Sequence, residues 1–330
     1  MTSNPHTLSI CIPTFNRLHY LKESLDILLP QAQRLSVDVC VSDNHSTDAT
    51  VEYLKAMAVR FTCLHYKVQE ENIGLDKNML SAISMGKGAY IYPLGDDDFL
   101  PEGTVGLLLK KIIEDLDMLL LNGWHTDPFL IPKSEHLPTT IKEKTFLTPD
   151  EAFINVWHKM PFGSFLAARE LFLPVYFDRF IGTSHAYTGA VWDVLAEKYR
   201  NTGKCTVKCM SAPTVLLRGG EKSWRADAAK IMLYEIPLWF QLIMEDDTYR
   251  QAAKPIFNKY IQSQTRIMSL LSYRASGQLD KQLVTSLTSM YSARDINLIN
   301  KIINLPVAPL KLFYAIYYIS KKILKQIIRR

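Results

Sequence analysis

With 330 residues, 48% of them hydrophobic, the chain can build one large domain or two modest ones, and intrinsic disorder is excluded. Its 38 basic and 33 acidic residues leave a net charge of +5, too mild by itself to indicate nucleic-acid binding. Five cysteines, Cys11, Cys40, Cys63, Cys205 and Cys209, are odd in number and lack the paired spacing of a zinc site, so they read as thiols of a reducing compartment.

The opening MTSNPHTLSI has no basic segment followed by an apolar one, so no signal peptide is read and a cytoplasmic location is expected. Short β-branched or Cys-rich runs at 8–14, 37–43, 61–67, 89–95 and 117–123 read as strands. The segments between them, 17–34, 46–59, 75–86 and 102–115, have helical spacing. Ser46, Thr47 and Asp48 offer capping chemistry for the second helix. This alternation predicts an α/β, Rossmann-like fold with a mostly parallel central sheet, whose ligands bind beyond the carboxyl ends of the strands. Pro93 argues against a fully central fourth strand, yet it suits one that stops just before the acidic residues that follow. Residues 123–148 show no clear period and read as a long surface connection.

The second half is mixed up to residue 220, with a helix from Pro149, strands at 163–168 and 204–210, and a helix over 185–200. Beyond 224 the apolar spacing is helical through 228–246, 249–273 and 278–291, a mainly helical C-terminal region that offers faces for oligomerisation. The expected organisation is a catalytic domain at 1–222, divided into a nucleotide-binding half (1–125) and an acceptor-side half (126–222), followed by helices at 223–305. Residues 296–330 hold seven Lys or Arg and no acidic residue, interleaved with Leu, Ile, Phe and Tyr. A basic amphipathic helix at 306–330 is therefore expected to lie on an anionic bilayer. Phe313, Tyr317 and Ile323 would anchor it, and Lys321, Lys322, Lys325, Arg329 and Arg330 would meet headgroups; the alternative is a terminal helix packed on its own domain. No apolar run reaches the roughly 18–20 residues that span a bilayer, so membrane contact is expected to be peripheral.

Asp96, Asp97 and Asp98 stand where the fourth predicted strand ends. If Gly95–Asp98 continues a strand, alternation puts Asp96 and Asp98 on one face and Asp97 on the other, and two such carboxylates suit Mg2+ or Mn2+ carrying diphosphate oxygens. A solvated, helix-capping turn is the alternative reading. Three further polar clusters, PTFNR (13–17), SDNHSTD (42–48) and ENIGLDKN (71–78), follow the first three strands and so share one rim. Asp43 and Asn44 suit a base or ribose edge, Gly74 allows close backbone approach, and Asn72, Asp76 and Asn78 suit a ribose or a phosphate-linked sugar.

The order SICIPTFNR, VSDNHSTDAT and ENIGLDKNMLSAISMGKGAYIYPLGDDD resembles family 2 glycosyltransferases of GT-A fold over residues 1–125. It is similar in particular to bacterial transferases that build O-antigen or capsule repeat units, the abequosyltransferase-like group among them. The resemblance implies that Pro13, Thr14, Asn16, Asp43 and Asn72 contact the nucleotide and that Asp96 and Asp98 match the DxD metal motif, with Mn2+ or Mg2+ as cofactor. The full nucleotide-binding set expected is Pro13, Thr14, Asn16, Arg17, Asp43, Asn44, Asn72, Gly74, Asp76, Asn78, Asp96 and Asp97. The group often carries a further acidic residue where this chain has Gly95, which leaves open which two aspartates touch the metal.

The implied reaction moves a sugar from a nucleotide-diphosphate donor to an acceptor hydroxyl with inversion. A polyprenyl-diphosphate-linked glycan is the expected acceptor if the tail holds the enzyme at the inner membrane face. Such enzymes usually place an acidic pair at the start of a helix in the second half, where FIGTSHAYTGAVWD has Ser184 and His185. His185 is the expected general base, with Asp178 and Asp193 in reserve; it could instead ligate metal or cap the helix. In LLRGGEKSWR, Arg218, Lys222, Trp224 and Arg225 are expected to form a mobile loop closing over the diphosphate, with a plain surface hairpin as the alternative. A nucleotide-sugar-binding protein without turnover and a Mg-dependent nucleotidyltransferase are the rival readings, although only Arg17 supplies the basic loop that the latter needs after strand one.

Overall fold

A strand rich in β-branched residues and cysteine cannot expose either face cheaply, and Leu8–Thr14 (β1) and Asp38–Asp43 (β2) are buried along their whole length. They are interior strands of a sheet in a computed structural model that describes residues 7–112, 116–131, 143–160, 162–219, 223–314 and 316. Helices Leu18–Leu35 (α1), Thr50–Arg60 (α2) and Leu75–Met85 (α3) alternate with β1, β2, Leu64–Val68 (β3) and Tyr90–Pro93 (β4). Thr104–Lys111 (α4), Met118–His125 (β5), Lys144–Phe146 (β6), Pro149–Val156 (α5), Phe165–Ala168 (β7), Pro174–Phe177 (α6), Ala186–Thr202 (α7) and Val207–Leu217 (β8) follow.

The eight strands are ordered β3-β2-β1-β4-β7-β5-β8-β6. Parallel pairing joins β3, β2, β1 and β4, and again β5 with β8; β7 and β6 enter antiparallel. The expected α/β class with a largely parallel sheet is therefore observed. Apolar side chains from one face of β1 and β2, such as Ile10, Ile12, Val39 and Val41, pack with Leu21, Leu25 and Leu28 of α1 in one core. All five cysteines are buried free thiols.

Three differences from the sequence reading shape the site. β4 pairs on both sides despite Pro93, because the proline is the last residue of the strand, where its missing N–H breaks no ladder; its carbonyl accepts the Gly163 N–H at 2.8 Å. The strand thus ends two residues earlier than expected. β6 falls in the stretch read as irregular, since three residues with one buried Phe146 carry no legible alternation. β8 runs on to Leu217, with register shifts against β5 near Asn122, and that extension delivers residue 218 to the acidic turn.

The chain divides into two compact units, residues 1–221 with 243–252, and residues 222–242 with 253–330. The second is helical: Ala228–Lys230 (α8), a π-turn at Ile231–Glu235, then most of Ile236–Ile243 (α9) and Asp247–Gln264 (α10), Ile267–Ala275 (α11), Lys281–Leu287 (α12) and Ala293–Ile303 (α13). Leu233, Leu270, Leu279, Leu287 and Ile299 form its core. No helix among the described residues is long and apolar enough to cross a membrane. Leu312, Phe313 and Ile316 are exposed, while Tyr317, Lys321, Lys322, Ile323, Lys325, Arg329 and Arg330 lie outside the described residues.

Candidate active site

The loops after β1, β2 and β3 meet on one rim and are tied by their own polar side chains. Asn16, at φ +53°, accepts the Thr47 N–H at 2.7 Å, and its own N–H donates to Ser46 Oγ at 2.8 Å. Asp48 caps two helices at once, accepting from Thr50 N and Leu18 N at 3.1 Å each. Asn44 donates to Asn72 Oδ1 at 2.8 Å and accepts the Ile73 N–H at 2.9 Å, joining the second loop to the third. Asn78 is buried and donates to the carbonyls of Ser42 (3.0 Å) and Thr14 (3.4 Å) while accepting from Ser42 Oγ at 2.7 Å. Its amide therefore stitches the ends of β1 and β2, whereas the sequence reading had given it to a ribose or sugar.

Asp43 is fully buried, and only one of its oxygens is used: Oδ2 accepts the Ser46 N–H at 3.0 Å, and Oδ1 has no hydrogen-bond partner. A buried acceptor without a donor costs on the order of 1–3 kcal/mol, so the fold sustains this oxygen at a loss.

Asp96, Asp97 and Asp98 are all buried, and they do not alternate as a strand would. Because β4 ends at Pro93, the triplet forms a turn in which Asp98 N donates to Gly95 O at 3.2 Å. Asp96 and Asp97 accordingly share a partner: Arg17 lies 3.3 Å from Asp96 Oδ1 through Nε and 2.7 Å from Asp97 Oδ2 through a terminal nitrogen. Thr14 Oγ1 also donates to Asp96, at 2.9 Å. Burial works against the charged Arg17, but the two carboxylates overcome it and hold the guanidinium above its ordinary range. The compensation that the acidic triplet requires is thus partly built in.

Arg218 differs from the expected mobile loop. It is buried at the end of β8, where its backbone N–H reaches Asp98 Oδ1 at 3.3 Å. Its guanidinium donates to Asp97 O (3.1 Å), Pro128 O (2.6 Å) and Glu23 Oε2 (2.6 Å), and it lies over the Tyr20 ring. It buttresses the triplet from behind. Lys222 lies outside the described residues, Trp224 is placed only as part of a 3-10 turn at Ser223–Asp227, and Arg225 is exposed in that turn within the second unit. Gln31, Glu23 and Tyr20 of α1 went unread in the sequence; Gln31 accepts the Gly103 N–H at 2.9 Å and so fixes the loop beyond the triplet.

In the second half of the first unit, His185 is the residue preceding α7, half-buried, with Nδ1 at 3.2 Å from Thr183 O. A carbonyl only accepts, so Nδ1 carries the hydrogen and the neutral ring's lone pair sits on Nε2. Asp76 does not point to a ligand as expected: its carboxylate accepts backbone N–H groups of Gly182, Ser184 and Ala186 at 2.9, 3.1 and 3.2 Å. Tyr187 brings the two sides together. Burial, then the charges of Asp76 and Asp98, hold its phenol well above the ordinary range, so both carboxylates act on one side chain. Of the reserves, Asp178 is exposed, and Asp193 is paired with Arg179 at 2.7 Å.

Among the described residues, no three His, Cys, Asp or Glu side chains converge as a closed metal cage. The donor set still fits a hard divalent ion held by one or two carboxylates, with diphosphate and water completing the shell. Glycines let the backbone pass close to these carboxylates: a Cβ at Gly95 would lie 2.8 Å from Asp98 Oδ2 and 3.2 Å from Asp97 Oδ1, and one at Gly163 3.0 Å from Asp98 Oδ2.

Residues 9–169, which contain every cluster of this rim, match the model of glycosyl transferase family 2. These residues form a glycosyl transferase family 2 domain. The glycosyltransferase is 26% identical to abequosyltransferase RfbV of Salmonella typhimurium over 340 aligned residues, 98% of this chain and 99% of the relative. Glycosyltransferase GlyA of Streptococcus pneumoniae matches at 27% over 107 residues, 32% of this chain and 15% of the relative. Among solved structures, S. aureus TarS 1-349 in complex with UDP-GlcNAc superposes with a TM-score of 0.60 at 15% identity, covering 90% of each chain. That likeness shows the GT-A-like fold.

Proposed function

We propose that this family 2 glycosyltransferase is an inverting enzyme that moves a hexose or deoxyhexose from a nucleotide-diphosphate donor to a hydroxyl of a lipid-linked glycan in surface-polysaccharide synthesis. The observation that carries the reading is the unpartnered, fully buried Asp43 Oδ1 on the same rim as the acidic triplet. A nucleotide base offering a ring or exocyclic N–H would supply the missing donor. The nearly full-length similarity to an abequosyltransferase supports a deoxysugar and an O-antigen-type product.

In this reading, Asp96 and Asp98 would hold Mn2+ or Mg2+, which would supply Lewis-acid stabilisation of negative charge on the departing diphosphate. Arg17 exchanges part of its carboxylate pairing for a phosphate oxygen, as a guanidinium fork suits either. His185 Nε2 takes the proton of the acceptor hydroxyl as that oxygen bonds to the anomeric carbon from the face opposite the leaving diphosphate. Tyr187 and the aromatic rings stacked on it, Phe162 at 4.7 Å and Phe165 at 5.9 Å, form an apolar wall behind the base. The exposed Leu312, Phe313 and Ile316 support peripheral membrane attachment at the cytoplasmic face, which would present a polyprenyl-linked acceptor.

Calorimetric titration of UDP, GDP, CDP and dTDP with and without Mn2+, on the wild type and Asp98→Asn, tests the reading. One nucleotide should bind in a metal-dependent way and lose at least about tenfold in affinity in the variant. Equal binding of that nucleotide by both proteins would remove Asp98 from the metal site, and binding of none would overturn the donor-site assignment.

A further inference from the structure

The Asp76 carboxylate spans from the donor rim to the segment that carries the proposed base. Gly74, at φ +80°, turns the chain into α3 and sets Asp76 in the first helical turn, where it is 8% exposed. Oδ2 accepts the N–H groups of Gly182 and Ser184, and Oδ1 accepts that of Ala186, the first residue of α7. Three donors on one carboxylate is a demanding arrangement, and the acceptor segment is bent to meet it. Gly182 and Ser184 have φ of +90° and +58°. The left-handed conformation is unfavourable for a serine, which Asp76 offsets by taking the Ser184 N–H.

This network passes through the backbone on both sides of His185. The His185 N–H donates to Thr183 Oγ1 at 3.2 Å, and Thr183 Oγ1 in turn donates to Phe180 O at 2.7 Å, so the segment has a second, weaker tie of its own. The negative charge of Asp76 also acts on the His185 ring. Asp76 thus ties down the backbone on both sides of the imidazole. α3 begins three residues beyond Asn72, and Asn72 is tied to Asn44 on the rim that holds Asp43.

We infer that Asp76 is a positioning residue for the transfer step: it clamps residues 182–186 so that His185 is held at a set distance from the donor. This rests on the reading of His185 as the general base. The test compares Asp76→Asn with the wild type by steady-state kinetics, by calorimetry with the nucleoside diphosphate that the wild type binds, and by amide hydrogen exchange. An asparagine offers one acceptor oxygen where the carboxylate offers two, so at least one of the three N–H groups is lost. The expected result is a fall in kcat of about 30- to 100-fold, the scale of a misplaced catalytic group, with donor KM and nucleotide affinity within about threefold. Exchange at Gly182, Ser184 and Ala186 should quicken at least about tenfold while β1 stays protected.

Nucleotide affinity lowered more than about tenfold with exchange at 182–186 unchanged would overturn the inference and make Asp76 a donor ligand. His185→Ala separates the two readings: if it keeps its kcat, the base assignment fails, whereas the clamp is still decided by the exchange data. Where Asp76→Asn does not fold, Asp76→Glu retains charge and acceptors but is one methylene too long; an unchanged kcat in that variant would overturn the inference.

Discussion

Arg17 lies 2.7 Å from Asp97 and also reaches Asp96, so a single guanidinium pairs with two of the three carboxylates at the carboxyl end of β4. Removing it takes the guanidinium charge away from buried carboxylates. Arg17→Ala is therefore expected to lower unfolding free energy by about 2–4 kcal/mol in urea titrations at pH 7.5. Millimolar Mn2+ should restore more of the midpoint in the variant than it adds to the wild type, because the ion then replaces the missing cation. Equal metal effects on both proteins would show that Arg17 and the ion do not share these carboxylates.

Gly95 faces a different constraint on the same turn. A methyl there would sit 2.8 Å from Asp98 Oδ2, closer than any ordinary Cβ contact, and its neighbours are the ends of Asp97 and Asp98. Gly95→Ala should move those carboxylates at a cost of about 1–3 kcal/mol in stability and weaken metal-dependent nucleotide binding at least about tenfold. Gly106→Ala in α4, where the nearest atom would be Leu35 Cδ1 at 3.7 Å, serves as the control and should bind normally. Calorimetry on the two variants side by side decides it.

The strands and the rim were legible because burial on both faces writes continuous apolar runs, and because four polar clusters followed four such runs. What could not be read was how the polar groups would be spent. Asn78 and Asp76 look like ligands in ENIGLDKN, yet one stitches β1 to β2 and the other holds a segment more than a hundred residues away. Arg218 sits beside two glycines and so reads as a mobile phosphate clamp; only the unforeseen length of β8 carries it under the triplet. Local spacing carries no information about such long-range pairing.

The last described helical turns put Leu312, Phe313 and Ile316 at 64%, 47% and 59% exposure, a heavy apolar load for a surface that meets only water. Tyr314 between them is nearly buried and donates to Met268 O, which anchors that turn within the second unit. Leu312→Glu combined with Phe313→Glu is expected to cut sedimentation with anionic vesicles at least about tenfold, each buried apolar side chain being worth about 1.5–3 kcal/mol. Deletion of 306–330 should move the protein from membrane to soluble fractions and leave nucleotide binding intact. Unchanged fractionation would remove the tail from membrane attachment.

Asp193 supplies a pH signature that separates structure from catalysis. Burial pushes its carboxyl up to about 6 from an ordinary 3.8, against the pull of Arg179. The folded protein therefore binds this proton more tightly than the unfolded chain. The stability from that preference is full below pH 3.8 and is lost as pH rises through 6. At about 1.36 kcal/mol per unit the loss is on the order of 2–3 kcal/mol. Asn at this position cannot ionise, so the stability of Asp193→Asn relative to wild type should climb between pH 4 and 6 and level off above, as read from urea unfolding across that range. Its kcat at pH 7.5 should stay within about threefold, since the Asp193 carboxylate is committed to Arg179 and the proton transfer is assigned to His185. A loss of a hundredfold or more would make Asp193 the base in place of His185.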